Sequence, residues 1–186
     1  DTAALLALAG VYGYVMPITQ AAREVNAQQR RIAVEKLQEA LKVLRGRTIG
    51  VLGLAFKPGT DDIRESAAIE IIRLLTERGA HVKAHDPVAV ENARRVLADI
   101  EVEFVDDPYE LAQGCDGIVL ATEWDIYRAL DLAKLAASMR LPVLVDGRNV
   151  YDPEEARKAG FTYLGIGRPV SHVEAERRPA SAVMGA

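Results

Sequence analysis

One stretch constrains the fold of this 186-residue chain more than any other: Thr48-Ile-Gly-Val-Leu-Gly-Leu-Ala-Phe-Lys-Pro-Gly-Thr-Asp-Asp-Ile-Arg-Glu-Ser66. Its first part, Thr48 to Ala55, is apolar, short and bounded by turn residues, which predicts a buried strand of a parallel sheet. A polar loop follows from Phe56 to Glu65, carrying Lys57, Pro58, Gly59, Asp61, Asp62 and Arg64. Ser66 then suits an N-cap, and Ile69, Ile72, Leu74 and Leu75 continue as a helix. Strand, glycine-bearing loop and helix is a geometry that holds phosphate at a helix N-terminus. The spacing is not the dinucleotide fingerprint. Gly50, Gly53 and Gly59 make G-x-x-G and then a gap, and Asp86, the acid at the end of the next strand, falls well beyond the ~20 residues which that pattern requires. On spacing alone two readings stay open: a nucleotide or sugar diphosphate facing Lys57 and Arg64, or an ordinary loop with solvated charges.

Upstream, Thr2 to Val11 reads as a short Ala- and Leu-rich helix interrupted at Gly13. Pro17 fits the first turn of a second helix, where its missing N–H costs nothing. From Ile18 to Leu44 there is neither Gly nor Pro, and Ile18, Ala22, Val25, Ile32, Leu37, Leu41 and Leu44 form a helical stripe. That is roughly 27 residues, or about 40 Å at 1.5 Å per residue. A helix of this length is expected to bridge domains or support a dimer, with a core helix of a larger layer as the alternative.

After Gly46 the pattern alternates. Strands are expected at 48–55, 81–85, 101–104, 117–121, 142–145 and 162–166, with helices at 67–78, 88–98, 108–113, 131–139 and 153–159. This predicts an α/β fold: a long N-terminal helix followed by a doubly wound, Rossmann-like parallel sheet of about six strands. The strand C-termini then gather Phe56, Lys57, Asp86, Glu123, Trp124, Asp146, Arg148 and Asn149 along one edge, where open α/β sheets bind ligands. The expected organisation is a helical segment at 1–45, an α/β domain at 46–170 and a mobile tail at 171–186.

Composition narrows the function classes. Net charge is −4 with no long basic run, which argues against nucleic acid or an anionic membrane surface. No apolar stretch reaches the ~18 residues of a membrane span, and no secretory signal is visible. The single cysteine, Cys115, can form neither an internal disulfide nor a cysteine-based metal cluster, so a reducing cytoplasm is the expected compartment. His81, His85 and His172 are dispersed, and no zinc site is expected. Cys115 adjoins a buried strand and reads as a core thiol; Trp124 reads as packing ahead of a nucleobase stack. The chain does not begin with Met, as expected of a piece of a longer protein.

The segment Gly53-Leu-Ala-Phe-Lys-Pro-Gly-Thr-Asp-Asp-Ile-Arg-Glu-Ser66 closely resembles the signature of the UDP-glucose/GDP-mannose dehydrogenase family, at the start of its C-terminal, UDP-binding domain. Ala121-Thr-Glu-Trp124 and Val145-Asp-Gly-Arg-Asn149 agree with it, and the resemblance runs from Asp1 to about Val170. Within the family, Lys57 to Asp62 is most similar to the UDP-glucose branch, with the GDP-mannose and UDP-N-acetylmannosamine branches as alternatives.

The resemblance implies a double oxidation. A UDP-sugar C6 alcohol passes through an aldehyde and a cysteine-bound thiohemiacetal to a thioester; two NAD are reduced, and water releases the acid. It implies that Phe56, Lys57 and Arg148 contact the UDP-sugar, and that Arg64 reaches NAD bound by another domain. It also implies that Asp1 occupies the position of the aspartate assisting the catalytic water, with the nucleophilic cysteine upstream, and that the long helix builds a homodimer. Each residue has a plainer reading beside this one. Arg148 could form a salt bridge to Asp146 or a neighbouring helix, Arg64 could pair with Asp61 or Asp62, Lys57 could be solvated, and Asp1 could cap a helix. A binding or dimerisation module without substrate is the second class of function.

Overall fold

A computed structural model describes residues 2–168. The chain opens with α1 (Thr2–Val11) and α2 (Pro17–Leu41), then alternates through β1 (Thr48–Leu52), α3 (Ala67–Glu77), β2 (His81–His85), α4 (Val90–Val96) and β3 (Val102–Phe104). It continues with α5 (Pro108–Ala112), β4 (Gly117–Leu120), α6 (Asp125–Arg128), α7 (Leu132–Ser138), β5 (Val143–Asp146), α8 (Pro153–Lys158) and β6 (Thr162–Gly165). The six strands form one sheet in the order β3-β2-β1-β4-β5-β6, every pair parallel. The order reverses between β1 and β4, which is the switch point of a doubly wound sheet and the place where such folds open a crevice.

The period-2 alternation of each strand sends its side chains to two cores. Ile49, Val51, Val119, Val143, Val145 and Leu164 pack with α2, α3 and α4 on one face. Ile118, Leu120, Leu144 and Tyr163 pack with α5, α7 and α8 on the other. Both faces of β4 and β5 are covered, which is why Gly117–Leu120 and Val143–Asp146 are buried at every position.

Only the C-terminal part of α2 joins this core, through Ala33, Val34, Leu37 and Leu41. It lies close over β4: a Cβ at Gly117 would stand 2.7 Å from Leu37 Cδ1, so the glycine sets how near the helix can come. α1, the α1–α2 connection and the N-terminal part of α2 leave Leu5, Leu8, Val11, Tyr12, Tyr14, Val15, Ile18 and Val25 exposed.

The expected elements are present, with three local differences. α2 stops at Leu41, where Lys42 takes a left-handed conformation (φ 66°). β1 ends at Leu52 and not at Ala55, because Gly53 turns the chain (φ 90°) directly against Thr122, where a Cβ would lie 2.5–2.9 Å from that residue's atoms. The short α6, absent from the sequence reading, is held by its buried Tyr127. The predicted tail at 171–186 lies outside the described residues, as does His172.

Candidate functional site

A cleft of about 690 Å³ opens at the C-terminal edge of the sheet. Phe56, Asp62, Arg64 and Glu65 line it from the β1–α3 loop, Ala67 and Ile71 from α3, Leu120 and Ala121 from the end of β4, and Gly147 and Arg148 from the segment after β5. Thr2 and the α2 residues Asn26, Gln29, Arg30 and Ala33 close the opposite wall. The volume suits a ligand of nucleotide-sugar size, and the mixture of apolar floor and a few charged groups is that of a small-molecule site.

Two buried aspartates shape the loops around it. Asp86, at the end of β2, is 4% exposed. Its Oδ2 accepts hydrogen bonds from Leu54 N (2.7 Å), Ala55 N (3.0 Å) and Trp124 Nε1 (3.0 Å), and its Oδ1 from Val88 N (2.9 Å) and Ala89 N (2.8 Å). Asp146, at the end of β5, is fully buried and accepts from Arg148 N (3.1 Å), Tyr151 N (2.9 Å) and Tyr163 Oη (3.0 Å). Buried carboxylates are tolerated only with such donors around them. The sequence reading put both aspartates on the ligand-facing rim; both turn inward instead.

Arg148 reaches across the mouth of the cleft. Its Nε donates to the Ala121 carbonyl (2.9 Å), and Nη2 stands 3.4 Å from the Phe56 carbonyl. Its ion pair is with Glu123, Nε to Oε2 at 2.9 Å, and not with Asp146, which accepts from Arg148 its backbone N–H alone. The Nε–H points at Ala121, so Glu123 Oε2 receives no hydrogen bond of its own although it is buried. Arg148 thus brings the β1 loop, the end of β4 and the β5 loop to one point, with one strained neighbour: Asn149 has φ 55°.

The other expected residues fall as follows. Phe56 lines the cleft, but its N–H donates to the Asp62 carbonyl (2.8 Å) inside its own loop, so what it presents is its half-exposed ring and its carbonyl side. Lys57 is exposed on the loop beyond it and is not among the residues lining the cleft. Arg64 lines the cleft with an 87% exposed side chain held to Asp62 by Nε and Nη2, at 2.7–3.2 Å. The hydrogen bonds from the Arg64 side chain, and then from its backbone N–H, hold the Asp62 carboxyl down at about 2. Asp1 lies outside the described residues; its neighbour Thr2 lines the cleft and accepts from Arg23 Nη1 (3.1 Å).

Three residues on α2 went unread in the sequence. Asn26, Gln29 and Arg30 had been taken only as part of a stripe-bearing helix, yet they face the cleft. Arg30 donates to Glu70 (2.6 Å) and to the Glu65 carbonyl (3.1 Å), fastening α2 to the start of α3. Their i, i+3, i+4 spacing is the signal that would have put them on one face. Trp124 packs between both cores with its N–H bound to Asp86, as its packing reading had it. Cys115 is fully buried, its thiol donates to the Leu111 carbonyl (2.9 Å), and burial pushes its pKa up to about 12, so it is a core thiol with no thiolate at neutral pH.

A doubly wound sheet with a cleft at its switch point is the architecture of many nucleotide-binding domains, and the comparisons give this one a family. Residues 50–153 match the model of the UDP-glucose/GDP-mannose dehydrogenase family, UDP binding domain, and the chain belongs to that family. It is 41% identical over 169 residues to UDP-glucose 6-dehydrogenase TuaD of Bacillus subtilis, an alignment covering 91% of this chain and 36% of that protein. Among solved structures, a UDP-glucose dehydrogenase from Pyrobaculum islandicum superposes with a TM-score of 0.76 at 46% identity, over 91% of this chain and 36% of that one. A UDP-D-ManNAc dehydrogenase from Pyrococcus horikoshii superposes at 0.70 with 28% identity, over 84% of this chain and 35% of that one. The chain spans just over a third of the length of these relatives. Among the described residues no helix is long and apolar enough to cross a membrane, and no cluster of three or more His, Cys, Asp or Glu side chains could hold a metal ion.

Proposed function

We propose that this chain supplies the UDP-sugar-binding part of an NAD-dependent UDP-glucose 6-dehydrogenase. The observation that carries the reading is the meeting of Phe56 and Arg148 at one cleft on the carboxyl edge of the sheet, in a chain matching a UDP binding domain. Arg148 offers a planar fork suited to the diphosphate or to the carboxylate of the oxidised sugar. The Phe56 ring supplies an apolar wall, and Lys57, exposed on the same loop outside the cleft lining, would add positive charge only at longer range. In this reading residues 46–170 form the UDP-binding domain, and residues 1–45 link and dimerise it through α2 and the exposed apolar side chains around Tyr12 and Ile18.

The sheet itself does not suit NAD as a host. The acid that a dinucleotide site turns toward a ribose is here Asp86, whose two oxygens are occupied by five N–H donors, and the glycines lack the fingerprint spacing. No hydride step is therefore assigned to this chain. NAD would be hosted by polypeptide beyond these residues, with the exposed Arg64 as this chain's contact to it. The thiol of the covalent steps would likewise come from elsewhere, since Cys115 is the chain's one cysteine and is buried and protonated. Asp1 is proposed to assist the hydrolytic water.

Calorimetry with UDP, UDP-glucose and GDP tests the reading on the 186-residue chain. Binding of UDP and UDP-glucose, with no NADH formed on adding NAD, is the expected result. Preference for GDP would favour the GDP-mannose branch, and no heat at millimolar ligand would favour a dimerisation module.

A further inference from the structure

The dipeptide Leu54–Ala55 immediately precedes Phe56 and Lys57, and it belongs to no strand or helix. Backbone outside regular structure normally finds its hydrogen bonds in water or in a turn. Here all four of its polar backbone groups are taken by buried side chains. Leu54 N and Ala55 N donate to Asp86 Oδ2 at 2.7 and 3.0 Å. The Leu54 carbonyl accepts from Ser66 Oγ at 2.7 Å, and the Ala55 carbonyl from Thr122 Oγ1 at 2.6 Å. Asp86, Ser66 and Thr122 are each 4% exposed or less. They come from the end of β2, the cap of α3 and the end of β4, so three separate elements grip one dipeptide.

We infer that Asp86, Ser66 and Thr122 are positioning residues of the nucleotide site. They fix the exit direction of the chain at Ala55 and so hold Phe56 within reach of Arg148. The inference rests on the UDP-binding reading. Its physical basis is that a binding group confined before the ligand arrives does not lose that freedom on binding. The 3.4 Å separation of Arg148 Nη2 and the Phe56 carbonyl is loose, so that contact does not by itself hold the loop. Ser66 is less useful as a probe because its Oγ also caps α3 through Ala68 N. Among the described residues Thr122 makes no such second bond through its hydroxyl, so it isolates the clamp.

The test is a pair of substitutions in the full chain, Thr122→Val and Thr122→Ser, with the UDP dissociation constant measured well below each melting temperature. Valine keeps the volume and removes the hydroxyl; serine keeps the hydroxyl. Thr122→Val should weaken UDP about tenfold, the equivalent of one lost hydrogen bond, and speed amide exchange at Phe56 and Lys57, while Thr122→Ser stays near the parent. If Thr122→Val does not fold, Thr122→Ala provides the same loss of hydroxyl. A folded hydroxyl-less variant with parental affinity, or a serine variant as weak as valine, overturns the clamp and leaves the nucleotide site standing. A parent chain that binds no UDP overturns the nucleotide reading, and this inference with it.

Discussion

Replacing Arg148 by alanine bears most directly on the proposed site. The side chain makes a bond of 2.9 Å to the Ala121 carbonyl, a looser one of 3.4 Å to the Phe56 carbonyl and an ion pair of 2.9 Å with Glu123. Being 37% exposed, the ion pair with Glu123 is partly screened, so its removal costs stability only about 1 kcal/mol. The cost to binding is larger. A charge-assisted bond to a phosphate contributes about 1.5–3 kcal/mol, which converts to roughly a 10- to 150-fold rise in the UDP dissociation constant. One further consequence opposes binding: Glu123 loses the cation it pairs with beside the cleft. Arg148→Lys should fall between, since lysine keeps the charge but not the fork. Calorimetric titration with UDP, alongside thermal melts, separates the two effects. An alanine variant that melts near the parent and binds UDP within about twofold of it would refute the assignment of Arg148 to the ligand.

Two other outcomes follow from buried groups. Cys115 should not react with a thiol reagent in the folded chain at pH 8 and should react fully in denaturant; rapid native labelling would contradict its burial and its raised pKa of about 12. His85 is 3% exposed with Nδ1 2.8 Å from Tyr127 Oη, and burial depresses its pKa below the ordinary 6.5, against the raising effects of the Asp106 backbone and of Asp86, Asp107 and Asp106. The unfolded chain therefore takes up a proton that the folded chain resists. Stability is full above 6.5 and is lost as pH falls below it toward the folded value. The difference in melting temperature between the parent and His85→Gln should shrink from pH 7.5 to 5.5, and a constant difference would dismiss the idea.

Much of the fold could be read from local pattern. Apolar runs such as Gly117–Leu120 are short and end in turn residues, so their strand character is a property of a few neighbouring residues. Ser66 was legible as a cap because capping is a bond to the residue two positions on. The motif around Phe56, and its likeness to a known family, pointed to the loop from which Phe56 and Arg64 line the cleft. The four-residue α6 was not legible, since its one anchor, Tyr127, is fixed by bonds to Tyr151 and His85. Nor was the lining contributed by Asn26, Gln29 and Arg30, because a long polar face looks the same whether it meets water or a cleft.

The amino-acid order by itself determined the alternation of strand and helix and the set of charged residues available at the sheet's edge. Only the tertiary structure decided which of those charges face the cleft. Asp86 and Asp146 sat on the same edge as Arg148 in the sequence reading, yet the first two serve backbone amides in the interior and the third crosses the cleft. The reason is one of range. Strand and helix are encoded over four or five residues, whereas three of the five donors to Asp86 lie 31, 32 and 38 residues away and Arg148 meets Phe56 across 92. A loop side chain turns toward whatever partner the packed sheet brings to it, and that partner is not written nearby.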